Sequence, residues 1–308
     1  MSTGPLPGDR FAIRPTCGVT VMKRSNAWQF LALPLIIYAA IIIVPFFRSI
    51  FFSLTNWDGV SPSYDFVGLA NFARVFTDPA FSMSLWHNVI WTLIYLALPT
   101  GLGLLLAIVL DKDIVGATIF KSIIYFPMIF SFVIVGMIWT FVYEPRLGVL
   151  NLFLRVLGVE NWRIAWLAEP NTALLAIIVA ASWQHTGLCM VLFLAGLKTV
   201  RIDLIEAAKI DGCNTWQLYR KVILPQLRNV TVVVISLTII NSLKNFDIVY
   251  IMTKGGPFRK SEVLTTFMFR ESFWNYRMGY GSAVAVVLFI LILLIIAFYL
   301  RQTLRATE

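Results

Sequence analysis

Four stretches of this chain, residues 25–47, 88–110, 122–143 and 280–300, contain no Asp, Glu, Lys or Arg. A run of about twenty apolar residues matches the hydrocarbon thickness of a bilayer when wound as a helix. Only internally hydrogen-bonded backbone is tolerated in that medium. Two further runs have the same length but carry polar groups: 172–197 holds Gln184 and His185, and 230–252 holds Lys244 and Asp247. The pattern predicts an all-α, polytopic membrane protein with six spans.

Composition excludes the main alternatives. The 308 residues would suffice for two soluble domains, but 59% are hydrophobic and only 13% charged, far from a soluble average. The net charge of +9 does not indicate nucleic acid, because the basic residues are spread between apolar blocks and not gathered in one basic domain. Cys17, Cys189 and Cys213 are scattered, and His87 and His185 are the only histidines. Without CxxC, HExxH or a cluster of His and carboxylates there is no ligand set for a metal. No nucleotide-binding loop exists either: Gly255-Gly256-Pro257 lacks the following Lys-Ser or Lys-Thr that such a loop requires.

The basic residues report topology. Lys and Arg are in excess on the side that holds the N-terminus (Arg10, Arg14, Lys23, Arg24), the second loop, the fourth loop (Lys198, Arg201, Lys209, Arg220, Lys221, Arg228) and the C-terminus. The positive-inside rule places that side in the cytoplasm. The basic residues before the first apolar run resemble a signal peptide, but the run exceeds an h-region and has no convincing cleavage site, so it reads as a retained span. The expected organisation is a cytoplasmic tail at 1–24, a membrane domain at 25–300 with a cytoplasmic loop at 198–229, and a short cytoplasmic tail at 301–308.

The fourth loop, 198–225, is patterned as helix, turn, helix. Asp203 is placed to N-cap a short helix, with Glu206 completing a capping-box-like pair. Gly212 ends that helix, Asn214 or Thr215 caps the next, and Pro225 allows a sharp entry into the fifth span. Leu204, Ala207, Ala208 and Asp211 fall within about one turn of each other and form a small-residue surface. A helix this short is unstable alone, so the surface reads as a docking element held between the bundle and a partner.

Glu206-Ala207-Ala208, then Gly212, then Val222-Ile223-Leu224-Pro225 resembles the "EAA" loop of bacterial ABC importer permeases in residue type and spacing. The resemblance extends over roughly residues 28–300, through Thr55-Asn56-Trp57, residues 66–72, residues 144–151, Phe246-Asp247 and residues 253–257. It points to the carbohydrate branch, similar to permeases for maltose, other oligosaccharides and glycerol phosphate. What it implies is a type I importer permease fold in the bacterial cytoplasmic membrane, with the loop forming a coupling helix in a groove of the ATPase. Glu206 would be the anchor, Ala207 and Ala208 would allow close approach, and Gly212 would make the turn, with Asp211, Leu224 and Pro225 completing the docking surface. The implied complex contains a second permease subunit (a heterodimer), two ATPase copies carrying ATP and Mg, and an extracytoplasmic solute-binding protein. The chain itself would bind no cofactor or nucleic acid and catalyse nothing.

Polar groups in mid-membrane are costly and mark function. The candidates for a solute path are Ser182, Trp183, Gln184 and His185 in the fourth span and Asn241, Lys244, Asn245 and Asp247 in the fifth. Sugar recognition needs hydrogen-bonding groups and an aromatic face, and Trp183, Phe246 and Tyr250 supply such faces. Two simpler readings stand beside this one: Lys244 and Asp247 pair with each other, and His185 is a packed neutral histidine. Pro99 and Pro127 read as kinks. The loop alone permits another solute, such as a peptide or amino acid, while an ion-coupled transporter leaves the loop unexplained and a membrane enzyme lacks any nucleophile and base.

Overall fold

The computed structural model describes residues 24–112, 114–159 and 164–305, with side chains described over 31–302 of these. Residues 1–23 of the predicted N-terminal tail, with Arg10, Arg14, Cys17 and Lys23, and Arg163 of the third loop lie outside the described residues, while Arg24, the last residue assigned to the tail, opens the first helix. The chain divides into two units, Met1–Arg48 and Ser49–Glu308.

The first unit holds α1 (Arg24–Tyr38), a π-turn at Ala39–Ile43 and the start of α2 (Val44–Phe52). From Leu31 this is continuous apolar helix, exposed along nearly all of its length.

The second unit is a helical bundle. It runs through α3 (Ala70–Thr77), α4 (Pro79–Leu110), α5 (Ala117–Tyr125), α6 (Phe132–Val142), α7 (Val149–Val156) and α8 (Ala173–Leu197). There follow α9 (Ile202–Ile210), α10 (Thr215–Leu218), α11 (Leu224–Gln226), α12 (Arg228–Ser242), α13 (Asp247–Met252), α14 (Leu264–Phe269) and α15 (Met278–Arg305). Among the described residues four helices are long and apolar enough to cross a membrane, or six if each of two sharply bent pairs counts as one.

Helices α4 and α8 form the central pair. An added Cβ at Gly103 of α4 would lie 2.5 Å from the Cys189 Cβ of α8, so only glycine lets these backbones approach so closely. In lipid, helix association rests on this kind of packing, because apolar side chains gain little by leaving an apolar solvent. Trp91 and Tyr95 of α4, Ile177 and Ile178 of α8, and Ile248 and Val249 of α13 form one core. A second core joins Met190, Phe193 and Leu197 of α8 to Ile223 and Leu227 beyond the fourth loop.

Two predicted spans are not straight helices. The run 122–143 is a 3-10 turn (Phe126–Ile129) and α6, with a 105° bend between the segments Ala117–Ile129 and Phe132–Val142. Pro127 removes an amide at the turn, and Phe130 and Ser131 are extended. The run 230–252 is α12, an irregular stretch at 243–246, and α13. At the ends, the helix of the second span begins at Pro79, capped by the Asp78 side chain, and the sixth helix continues to Arg305, past the predicted end at 300.

Candidate functional site

The fourth loop folds as helix, turn, helix, with one change in its capping. Helix α9 starts at Ile202, two residues earlier than a cap at Asp203 would set, and its N-cap is Arg201, which makes no side-chain cap bond. Asp203 instead lies in the first turn, where a carboxylate suits the helix dipole, and pairs with Arg201 at 2.5 Å. That guanidinium holds the Asp203 carboxyl below its ordinary range.

The turn follows the expected chemistry. Gly212 sits at φ +77°, Cys213 N–H donates to the Ala208 carbonyl at 3.0 Å and Gly212 N–H to Lys209 at 3.1 Å, which is a Schellman closure. The next helix is opened by a reciprocal pair: Asn214 Oδ1 accepts from Gln217 N–H at 2.9 Å, and Gln217 Oε1 accepts from Asn214 N–H at 3.0 Å. A 71° bend then separates Thr215–Gln226 from α12, with Pro225 in the last turn before it.

Two contacts tie the loop to its base. Lys198 Nζ lies 2.8 Å from Asp111 Oδ1 at the end of α4, and Arg201 N–H donates to Gln226 Oε1 at 3.2 Å. Ala208 is buried and faces the bundle, so it does not belong to the docking surface that the sequence pattern suggested. Glu206, Ala207, Asp211, Leu224 and Pro225 are exposed, joined by Ile202 and Ile210 at 69% and 86% exposure. Among the described residues Glu206 has no hydrogen-bond or ion-pair partner. The loop thus presents a free carboxylate flanked by bare isoleucines.

The polar groups of the fourth span divide between two tasks. Gln184 Nε2 donates to the Phe130 carbonyl, which the bend of the third span has left without a helical partner. His185 Nε2 is 2.9 Å from Thr238 Oγ1 of α12, and its ring stacks on Tyr95 at 4.8 Å. Both side chains are buried, so Gln184 and His185 brace the bundle, His185 as the packed histidine of the simpler reading. Ser182 and Trp183, with Thr186, Trp139, Val179 and Ile124, line an apolar crevice of about 560 Å³. Trp183 is 40% exposed there, with its ring 5.9 Å from Trp139.

The fifth-span group sits in the irregular stretch. Asn245 is buried and its Nδ2 donates to the Ser242 carbonyl at 2.6 Å, closing α12 where the helical ladder stops. Asn241 is half-buried, while Lys244 and Asp247 are exposed and form no ion pair with each other. The i,i+3 pairing requires one continuous helix, and the break at 243–246 removes it. No hydrogen bond joins these residues to Ser182, Trp183, Gln184 or His185 among the described residues.

Beside Lys244 and Asp247 lies an aromatic group that is only half visible in sequence. Phe246 stacks on Tyr250 at 5.1 Å, Phe269 lies 4.9 Å from Phe246 and 5.3 Å from Tyr250, and Trp274 lies 6.3 Å from Tyr250. Phe269 ends α14 and Trp274 ends the π-helical turn that follows it, and nothing in their own neighbourhood signals the association. A partly exposed ring cluster next to an unpaired ammonium and carboxylate can stack on the apolar side of a polyol and bond its hydroxyls.

The chain thus combines a bent helical bundle, a capped helix-turn-helix in its fourth loop and polar breaks within its apolar runs. Residues 99–306 match the model of the family described as binding-protein-dependent transport system inner membrane component. The chain belongs to that family. A probable ABC transporter permease of Pyrococcus horikoshii is 35% identical over 93% of this chain and 100% of its own length. The alpha-glucoside transport system permease AglF of Rhizobium meliloti is 35% identical over 96% of this chain and 88% of its own. A chain from a bacterial ABC transporter for import of the acidic polysaccharide alginate has the same fold, with TM-score 0.79 and 20% identity over 92% of this chain and 98% of its own.

Proposed function

We propose that this permease forms half of the translocation path for a sugar or oligosaccharide and docks a separate ATPase through α9, with Glu206 as the anchor. The observation that carries the coupling reading is the state of Glu206: an exposed, unpartnered carboxylate on a helix whose opposite side, at Ala208, is held to the bundle. A basic groove on an ATPase subunit would complete a charge-assisted contact of this kind. Ala207 adds no bulk beside it, and Ile202 and Ile210 supply apolar area.

The cargo reading rests on the ring cluster of Phe246, Tyr250, Phe269 and Trp274 beside Lys244 and Asp247, and on the similarity to the alpha-glucoside permease AglF. Trp183 and Ser182 extend the candidate path into the fourth span. The complex comprises this chain, a second and different permease, two ATPase subunits holding ATP and Mg, and an extracytoplasmic binding protein. Both termini lie in the cytoplasm, as does the α9 loop.

Reconstitution tests the proposal. Proteoliposomes holding the complex are expected to accumulate a labelled glucoside only with ATP inside and binding protein outside. Accumulation by this chain without an ATPase overturns the coupling reading; ATP-dependent uptake of amino acids or peptides in place of sugars overturns the cargo reading.

A further inference from the structure

Helix α7, in the loop between the third and fourth spans, is amphipathic in an inverted sense. Its polar anchor faces the protein: Asn151 is buried, and its Nδ2 donates to the Pro145 and Ile164 carbonyls, each at 3.1 Å, while its Oδ1 accepts from Trp166 Nε1 at 2.9 Å. The opposite side carries Val149, Leu152, Phe153, Val156 and Leu157, all exposed, at 67%, 41%, 58%, 84% and 57%. At 3.6 residues per turn these five occupy an arc of roughly 140° centred opposite Asn151. Water is a poor neighbour for such a face, and large contiguous apolar patches mark a membrane or a partner.

We propose that α7 is an interfacial helix that lies in the bilayer surface at the exit of the third span, with this arc immersed at the boundary of headgroups and acyl chains. Chain path fixes its level: α6 ends at Val142, so α7 begins only a short turn beyond the exit of the third span. That turn is tight, since Glu144 accepts from the amides of Arg146 and Leu147.

The side of α7 that faces the protein is held by packing: Trp166, bonded to Asn151, lies 6.1 Å from Tyr143, which is buried in the core. Val149 and Leu147 share a crevice with Ile138, Phe141 and Val142 of α6, and Glu144 of the intervening turn also lines it. Arg155 is exposed at the edge of the arc and has no ion-pair partner among the described residues. A cation at that edge complements a lipid phosphate; a protein cover would have to bring its own carboxylate to it. The inference depends on membrane insertion and not on the cargo or the ATPase, so it stands or falls separately from the proposed function.

Collision measurements on nitroxide labels test it. Cysteines are placed by Phe153→Cys, Val156→Cys and, as an aqueous reference, Ser63→Cys, each with Cys17, Cys189 and Cys213 changed to Ser, in the assembled complex in nanodiscs of phosphatidylcholine and phosphatidylglycerol. Labels at 153 and 156 are expected to collide with lipid-soluble oxygen several-fold more, relative to a water-soluble nickel chelate, than the label at 63 does. A ratio like that of position 63 would overturn the proposal by placing α7 in water. Shielding of both positions from both reagents would overturn it in favour of a protein cover, such as the second permease. A bimane on the same cysteines gives an independent reading: lipids brominated near the glycerol end of the chain are expected to quench it, and absence of quenching contradicts immersion.

Discussion

Glu262 is almost fully buried, yet it holds two guanidinium groups: Arg270 Nη1 at 2.6 Å and Arg259 Nη2 at 2.8 Å. Ser84 Oγ of α4 donates to the same carboxylate at 3.4 Å, so this one residue ties the loop after α13 to the second span. Removing one member of such a buried pair leaves charge uncompensated and costs about 3 kcal/mol. Glu262→Gln is therefore expected to lower the apparent thermal unfolding midpoint in detergent markedly; an unchanged midpoint would show that the network is dispensable. At the surface, Asp58 organises the loop after α2 by accepting from Val60 N–H, Ser61 N–H and Ser61 Oγ. The Ser61 hydroxyl first, then the two amides, hold its carboxyl down to about 2 from an ordinary 3.8. A depressed pKa means that the stabilisation is full above 3.8 and is lost as the pH falls through about 2. Hydrogen exchange at the Val60 and Ser61 amides is expected to lose protection beyond its intrinsic pH trend only in that acid window. Loss near neutral pH would contradict the turn. Single residues of this kind are where sequence reading has least purchase. Gln184 and His185 stood out as polar intrusions, but only the bend at Phe130 and the nearness of Thr238 reveal them as braces.

Elements were more legible where the signal is local. Gly212, Asn214 and Pro225 act through their immediate neighbours, and the turn, the cap and the bend each fall at the expected residue. Asn214→Ala removes one half of the capping pair, which costs about 1 kcal/mol at such positions. Hydrogen exchange is expected to quicken in α10 while α8 stays protected; unchanged exchange in α10 would show that the cap is redundant. The start of α9 was misjudged by two residues because Arg201 competes for Asp203, a contact outside capping rules. Pro127 marked the bend of the third span, whereas the break of the fifth at 243–246 was hidden, since hydropathy averages over a break as readily as over a helix. Close packing was hidden too. Gly103→Val would drive a branched side chain into Cys189, and overpacking costs about 1–3 kcal/mol. A lower unfolding midpoint is expected for the variant, and wild-type stability would mean that α4 and α8 can separate without loss.

For the whole molecule, the six apolar runs revealed the class of fold because the bilayer penalises every unsatisfied backbone group along a span. They do not say how spans associate, since lipid and protein are equally apolar neighbours. The ring cluster shows the limit: Phe246 and Tyr250 were legible beside Asp247, whereas Phe269 and Trp274 reach them only through the folded loop. If that cluster holds sugar, Trp274→Ala is expected to lower glucoside uptake without altering ATPase assembly, and equal loss of assembly would mark it as packing. The central claim is that α9 carries the coupling. Its most direct measurement is ATP-driven glucoside uptake in proteoliposomes by the Glu206→Ala complex, with the affinity of the binding protein for sugar measured alongside. Loss of one charge-assisted contact of about 1.4 kcal/mol predicts at least a tenfold fall in uptake, with sugar affinity unchanged. Uptake at the wild-type rate would contradict the account.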